Sequence, residues 1–186
     1  MLSIKQFKAT VCENVETIKL SSLVGNWKIE VCSNGLHLIK LDDEVTNDNF
    51  LQKGSQDVKM IRHSKNPHVE DIHQWFQTYF EGDKPQIELK ICPKIADMKS
   101  QNFRQKVWLT LKDKVQYGQT VSYGELAKLS GHPGAFQAVG SAMSNNPISL
   151  VVPCHRVVKS DGSTGNYSKA TKNDVKKWLL DHEKSK

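Results

Sequence analysis

Apolar and polar residues alternate along the chain between residues 15 and 41. The segments VETIKLSS, WKIEVC and LHLIKL are separated by turn-forming residues at 24–26 and 33–35, and the second turn contains Asn-Gly. Alternation with a period of two indicates strands with one buried face, and Asn-Gly is a preferred hairpin turn. The pattern predicts an antiparallel meander of three strands.

The period of the pattern then changes to that of a helix. Within residues 69–80, apolar side chains recur three or four positions apart, at Ile72, Trp75, Phe76, Tyr79 and Phe80. We predict a helix there, with Gly82 in its C-terminal cap. The polar residues 42–66 predict a surface connection, and the alternating segment QIELKIC at 86–92 predicts another strand.

The second half of the chain is predicted to be mainly helical. One helix is marked by Phe103, Val107, Trp108 and Leu111. The segments VSYGELAKLSG and AFQAVGSAMSNNP predict a helix, a tight turn and a second helix over residues 135–143, an arrangement that resembles a helix-turn-helix. Ser122 and Glu125 are spaced as a capping box, Gly131 suits the end of the first helix, and Pro133 favours the start of the second.

The chain ends with two further predicted elements. LVVPCHRVV at residues 150–158 is predicted to be extended, and residues 174–182 are predicted to form the last helix. We find no internal repeat.

Composition and charge narrow the class of protein. The 186 residues are 38% apolar and 25% charged, as in ordinary globular proteins, and no apolar run is long enough to cross a bilayer. The N-terminal residues do not have the pattern of a secretory signal. The net charge of +6 favours an acidic partner such as nucleic acid, although many basic proteins bind none.

The four cysteines, Cys12, Cys32, Cys92 and Cys154, are far apart, and we expect them to be reduced. Each could pack in the core, bind a metal or react. Cys154 stands between Pro153 and His155, and a histidine oriented by a carboxylate can take the proton of a thiol. Because neighbouring side chains of an extended chain point to opposite faces, we expect a water molecule between Cys154 and His155.

PCHRV followed by GNYS resembles the active-site signature of the O6-alkylguanine-DNA alkyltransferases, also called methylated-DNA–protein-cysteine methyltransferases. YGQTVSYGELAKLSG, AVGSAMSNNP and KKWLLDHE match the same family in order and spacing, so the resemblance covers about residues 103–183. The N-terminal half resembles the family more weakly, through EVCSNGLHLIKL.

The resemblance implies a mixed α/β (α+β) protein of two domains. Residues 1–95 would form a small meander domain of ribonuclease-H-like fold. Residues 96–186 would form a mainly helical DNA-binding domain with a winged-helix-like helix-turn-helix. The resemblance further implies a monomer that binds double-stranded DNA and does not bind a membrane. Its location would be the nucleus or, in a prokaryote, the cytoplasm.

The chemistry implied is direct reversal of DNA damage. Cys154 would take the alkyl group from O6 of guanine, or O4 of thymine, once and irreversibly, without a cofactor. The resemblance makes His155 a water-mediated base, Glu183 its orienting acid, Tyr123 a hydrogen-bond donor to guanine N3 and Asn146 a hinge. Judged by residue type alone, Glu183 could equally be a solvated acid, Tyr123 a half-buried tyrosine and Asn146 a helix-ending asparagine.

The resemblance also implies a set of residues around the substrate. In this set, Val157 and Ser168 would offer backbone groups to the base, and Arg156 would support the fold by ion pairing. The substrate and DNA contacts carried over are Ser122, Tyr123, Ala135, Phe136, Gln137, Ala138, Gly140, Arg156, Val157, Asn166, Tyr167, Ser168 and Lys169.

The second helix of the helix-turn-helix would enter the minor groove beside a flipped-out O6-alkylguanine. Its small residues suit a groove about 6 Å wide, although they suit close helix packing equally well. Gln137 stands where the family usually has an arginine, which predicts weaker DNA binding. Phe136 replaces a small residue and either wedges into the base stack or packs inward. Lys169 borders the pocket, where it contacts phosphate or narrows access.

A structural zinc site is implied in the first half. Cys32 and His37 match two family ligand positions, Cys12 lies within a residue of a third, and Cys92 lies where the fourth is needed. Three thiolates and one imidazole suit tetrahedral zinc, and the alternative is buried thiols beside a surface histidine.

The sequence is also compatible with two other classes of function. One is a non-enzymatic alkyltransferase-like sensor or helix-turn-helix DNA-binding protein, although such sensors do not have the active-site cysteine. The other is a thiol hydrolase that uses Cys154 and His155.

Overall fold

The computed structural model describes residues 12, 14–42, 58–61, 64–95, 102–165, 167 and 172–185. Within these residues, an antiparallel sheet and one helix in the first half lie against a helical second half. A mixed α/β fold was predicted, and it is confirmed. None of the helices in the described part of the chain is long and apolar enough to cross a membrane.

The predicted meander is present as β1 (Glu16–Ser22), β2 (Gly25–Cys32) and β3 (Gly35–Leu41). The strands pair antiparallel, with Ile18 opposite Ile29 and Leu20 opposite Trp27, so their apolar positions share one buried face. A fourth strand, β4 (Lys59–Met60), pairs with β1 and gives the order β3-β2-β1-β4. The prediction of a simple surface connection was therefore wrong at residues 59–60, where the backbone completes the edge of the sheet.

Helix α1 (Val69–Phe80) covers the sheet, as its apolar stripe predicted. Trp27 of β2 meets Phe76 edge-to-face, with 5.7 Å between ring centroids. The helix ends at Phe80 with Glu81 as its C-cap, and Gly82 follows with φ of +88°, the left-handed conformation that glycine adopts at helix ends.

Residues 86–92 do not form the predicted strand. They join β3 at a single parallel bridge, in which Leu36 donates to the Lys90 carbonyl at 2.8 Å and accepts from the Cys92 N–H at 2.9 Å. The two backbones approach so closely that a Cβ on Gly35 would lie 2.3 Å from the Lys90 oxygen. This one rung pairs the segment with β3, and its alternation reflects the burial of Leu89 and the partial burial of Ile87 and Ile91 against the core.

The second half contains α2 (Phe103–Lys114), β5 (Val121–Ser122), α3 (Tyr123–Leu129) and α4 (Phe136–Ser144). The capping box is confirmed, since Ser122 accepts from the Glu125 N–H and Glu125 accepts from the Ser122 N–H. Helix α4 begins one residue later than predicted, after Ala135.

The segment predicted to be extended contains a turn instead. Residues Cys154–Arg156 form one turn of 3₁₀ helix, in which the Arg156 N–H donates to the Pro153 carbonyl at 2.9 Å. The chain then forms β6 (Val157–Val158), parallel to β5, and ends in α5 (Asn173–Lys184), which contains the predicted helix 174–182.

The buried core continues across the predicted domain boundary at residue 95. Ile39 of β3 donates to the Pro147 carbonyl at 2.9 Å and accepts from the Ser149 N–H at 2.9 Å. The first half therefore supports the loop that leads to Cys154. The division at residue 95 remains a prediction.

Candidate active site

The loop before Cys154 is held by the buried side chain of Asn146. Its amide nitrogen donates to the Val152 carbonyl at 2.7 Å, and its amide oxygen accepts from the Ile148 N–H at 3.0 Å. Within this loop Leu150 has φ of +70°, a conformation that costs energy for a residue with a Cβ. These contacts close a turn over residues 146–152, directly before Cys154, at the position where the hinge was expected.

Cys154 is buried but keeps 7% of its surface exposed. Burial raises the pKa of its thiol, and this effect exceeds the opposing effects of a hydrogen bond with Asn146 and the charge of Lys176. The thiol is therefore protonated at neutral pH, so a reaction in which it attacks needs a base.

His155 is fully buried, and its Nε2 lies 2.7 Å from Oε1 of Glu183. Its Nδ1 is buried and has no hydrogen-bond partner among the described residues. Because the carboxylate accepts at Nε2, that nitrogen carries the proton, and Nδ1 presents a lone pair. Burial outweighs the opposing effect of Glu183 and lowers the pKa of His155, so the ring is neutral at pH 7.

The 3₁₀ turn changes the expected relation of Cys154 to His155. In a 3₁₀ helix, successive side chains are about 120° apart, because there are three residues per turn. The opposite faces expected for an extended chain are therefore wrong here.

Glu183 is buried, and five donors among the described residues converge on its carboxylate. Oε1 accepts from His155, from the Tyr79 hydroxyl at 2.8 Å and from Nη2 of Arg156 at 3.0 Å. Oε2 accepts from Nε of Arg156 at 2.8 Å and from the Gly118 N–H at 3.1 Å. Although burial opposes it, hydrogen bonds and charges from His155 and Arg156 hold the pKa of Glu183 well below its usual range.

Arg156 is buried, and its third contact, from Nη1, is to the Val115 carbonyl at 2.9 Å. Its guanidinium is thus engaged inside the protein, where it ties α5 to the end of α2.

Two tyrosines border the thiol. Burial raises the pKa of half-buried Tyr123, and the nearby Cys154 raises it further. Tyr167 is buried, and a hydrogen bond links it to Cys154. Both phenols are therefore protonated donors at neutral pH. The predicted pocket residues Asn166, Ser168 and Lys169 lie outside the described residues.

The exposed face of α4 carries the predicted DNA contacts. Phe136 is 53% exposed, so it does not pack inward, and Gln137 and Ala138 are exposed beside it. Ala135 and Gly140 are half-buried. The opposite face of the helix packs into the core through Val139, Ala142 and Met143.

Two buried polar residues of the site were not predicted. Lys176 donates from Nζ to the Val157 carbonyl at 2.7 Å, and Tyr79 reaches Glu183 from α1. Lys176 lies seven residues before Glu183, two turns along the same face of α5, so an inward Glu183 indicates an inward Lys176. Tyr79 belongs to an apolar stripe, and its role depends on a contact 104 positions away that no local pattern reveals.

The predicted zinc ligands lie together. One ligand atom from each of Cys12, Cys32, His37 and Cys92 lies within 4.8 Å of all the others. Cys12 and Cys92 sulfurs are 3.2 Å apart, Cys32 and Cys92 sulfurs 3.8 Å, and His37 Nε2 lies 3.1 Å from the Cys32 sulfur. Tetrahedral zinc with bonds of about 2.3 Å to sulfur has ligand separations of about 3.8 Å, so this donor set fits a metal ion.

Comparison with known proteins agrees with this geometry. Residues 102–185 match the family described as "6-O-methylguanine DNA methyltransferase, DNA binding domain". The human methylated-DNA–protein-cysteine methyltransferase is 36% identical over 182 residues, covering 92% of this chain and 81% of that protein. The mouse protein of that name is 36% identical over 169 residues, covering 88% of this chain and 79% of the mouse protein.

Solved structures extend the likeness to the fold. Mycobacterium tuberculosis OGT in complex with DNA superposes with a TM-score of 0.68 and 28% identity, covering 90% of this chain and 91% of that one. The O6-methylguanine methyltransferase of the same organism superposes with a TM-score of 0.69 and 27% identity, covering 92% of this chain and 94% of that one. The chain therefore belongs to the methylated-DNA–protein-cysteine methyltransferase family, whose members repair DNA by moving a methyl group from guanine O6 to a cysteine.

Proposed function

We propose that this protein reverses alkylation damage in DNA by transferring the alkyl group from O6 of guanine, or O4 of thymine, to the sulfur of Cys154. The observation that carries the proposal is His155, which is buried beside Cys154, bound to Glu183 through Nε2, and left with a free lone pair on Nδ1. Because Nδ1 makes no direct hydrogen bond to the thiol among the described residues, such a ring would accept the thiol proton through one water molecule.

In the proposed reaction the water-bridged imidazole takes the proton from Cys154, and the thiolate attacks the alkyl carbon in line with the carbon–oxygen bond. The carbon–sulfur bond forms as the carbon–oxygen bond breaks, and the electron pair remains on the base. Tyr123 donates its proton to guanine N3, so the base leaves uncharged. The phenolate and the His155 imidazolium then return to their neutral forms by proton exchange with water. The product is a thioether, which no group of the site can cleave, so each molecule reacts once.

The base would be held by backbone groups around the thiol. The Val157 carbonyl accepts from the exocyclic amine of guanine, and its bond to Lys176 fixes its direction while leaving a second lone pair. By the family resemblance, Ser168 would donate towards O6, and Asn166 and Tyr167 would also contact the substrate. Lys169 would limit the size of the adduct or contact phosphate.

The exposed face of α4 would enter the minor groove of double-stranded DNA. Its small side chains allow close approach, and the positive charge of the protein favours binding to phosphate. The exposure of Phe136 favours the wedge over inward packing, because apolar side chains inserted at base steps unstack them. Gln137 fills the gap left by the flipped nucleotide without the charge of an arginine.

The protein would work as a monomer. It would act in the nucleus or, in a prokaryote, in the cytoplasm, because its DNA substrate lies there. A titration tests the reaction class. With excess duplex carrying O6-methylguanine, repair should stop after one equivalent per protein chain. Continued turnover would indicate a hydrolase, and binding without loss of the methyl group would indicate a damage sensor.

The cluster of Cys12, Cys32, His37 and Cys92 would hold a structural zinc ion that ties the N-terminal segment and residue 92 to the β2–β3 hairpin. It supplies no step of the repair chemistry. We expect about one equivalent of zinc in the purified protein. Cys92→Ala should lose the metal and melt at a lower temperature, whereas Cys154→Ser should keep it. Less than half an equivalent in the wild-type protein would contradict the assignment.

A further inference from the structure

Tyr79 lies outside the second half of the chain, which carries every proposed catalytic group. It belongs to α1, yet its hydroxyl donates to Oε1 of Glu183 at 2.8 Å. The same oxygen binds Nε2 of His155 at 2.7 Å, and the Tyr79 oxygen lies 3.5 Å from that nitrogen. The hydroxyl thus sits at the junction between the acid and the base of the site.

We propose that Tyr79 is a positioning residue for the alkyl transfer, which fixes Oε1 of Glu183 and thereby the orientation and proton of His155. This inference rests on the proposed function of Cys154. It gives the first half of the chain a part in the chemistry, since α1 then completes a site that the second half builds.

The surroundings of Tyr79 support a fixed rather than an adaptable hydroxyl. The side chain is fully buried, stacked on Trp75 at 5.4 Å and edge-to-face with Tyr117 at 5.9 Å. Burial and the adjacent Glu183 raise its pKa well above the usual value, so the phenol stays protonated and can only donate to the carboxylate. The backbone carbonyl of Tyr79 accepts from His182 of α5 at 2.7 Å, which holds the two helices in register.

The hydroxyl should also set the basicity of His155. The groups that act on this imidazole are Glu183, which raises its pKa, and Arg156 and Lys176, which lower it. A hydroxyl that donates to Oε1 withdraws part of the negative charge that faces His155. Its removal should therefore make His155 more basic and its orientation looser.

The chain offers a matched control in Tyr117. The two rings are in contact, and the Tyr117 hydroxyl is also buried, but it has no hydrogen-bond partner among the described residues. Tyr79→Phe and Tyr117→Phe each remove one buried hydroxyl from neighbouring rings, and only the first hydroxyl touches Glu183.

The test is the single-turnover rate of methyl transfer from a saturating O6-methylguanine duplex, measured from pH 5 to 8. Tyr79→Phe should slow transfer by between about threefold and thirtyfold, less than the hundredfold typical for loss of a general base. The acid limb of its profile should move to higher pH. Tyr117→Phe should match the wild type in both respects.

Several outcomes overturn the inference. One is a Tyr79→Phe profile that coincides with the Tyr117→Phe profile, and another is a slower rate without movement of the acid limb, since a structural defect lowers the rate at every pH. In the wild-type protein, NMR should also show a slowly exchanging Tyr79 hydroxyl proton close to the His155 ring. Its absence overturns the proposal even if Tyr79→Phe does not fold. If the wild type itself transfers no methyl group, the function proposed for Cys154 fails as well.

Discussion

Replacing Glu183 with glutamine removes the negative charge to which the buried hydrogen-bond donors of the site bind. Five donors point at this carboxylate among the described residues, and two of them come from the guanidinium of Arg156. A glutamine has one acceptor oxygen. If that oxygen takes the place of Oε1, the amide NH₂ faces the Arg156 Nε–H and the Gly118 N–H, which are also donors.

The expected loss follows from these contacts. Breaking a buried ion pair by removing one partner typically costs about 3–5 kcal/mol, because the remaining charge stays buried without compensation. We expect Glu183→Gln to lower the free energy of unfolding at pH 7 by about that amount. The exposed Glu125 is the matched control, since glutamine also serves in a capping box, and Glu125→Gln should cost less than about 0.5 kcal/mol.

Urea denaturation at several pH values is the assay. The pKa of Glu183 is lowered in the folded state, so its contribution is fully present above pH 4.5 and is lost as the pH falls further. The difference between wild type and Glu183→Gln should therefore shrink below pH 4.5. A difference under 1 kcal/mol at pH 7, or one that does not change with acid, would refute the role given to this cluster.

Three further predictions concern the base, the hinge and the DNA contact. Burial lowers the pKa of His155 below its usual value of 6.5, so the transfer rate should be constant near pH 7 and fall only below pH 6.5. A pH–rate profile with its midpoint above pH 6.5 would contradict a neutral base. Asn146→Ala removes two buried hydrogen bonds and should destabilise the protein by about 2–3 kcal/mol in urea, whereas the exposed Asn145→Ala should cost far less. Gln137→Arg should tighten binding to undamaged duplex and steepen its salt dependence, and an unchanged affinity would argue against insertion of this side chain.

Much of the fold follows from local patterns in the sequence. The meander, α1 and the capping box at Ser122 are each specified by residues close together in the chain, so period and turn chemistry predict them. Residues 86–92 also alternate, but strand formation depends on a partner edge, and β3 offers this segment only the rung at Leu36. The 3₁₀ turn at Cys154 is also absent from the local pattern, since LVVPCHRVV predicts an extended apolar segment.

Some residues of the candidate site could likewise be predicted from the sequence, and others could not. The family resemblance predicted that Cys154, His155 and Glu183 act together, and it also predicted the metal cluster, through the match of Cys32 and His37 to two family ligand positions. Tyr79 was missed because a tyrosine in an apolar stripe carries no local sign of its partner. Lys176 was missed although its spacing from Glu183 places both side chains on one face of α5. Their contacts come from packing between segments far apart in sequence.

The most direct test of the account is the mass of the intact protein after reaction with a duplex carrying a single O6-methylguanine, followed by peptide mapping. We predict a gain of one methyl group in place of the thiol hydrogen, located on Cys154, with the guanine restored in the DNA. Cys154→Ser should gain nothing and leave the lesion in place. A methyl group found on Cys12, Cys32 or Cys92 instead, or a Cys154→Ser protein that still clears the lesion, would contradict it.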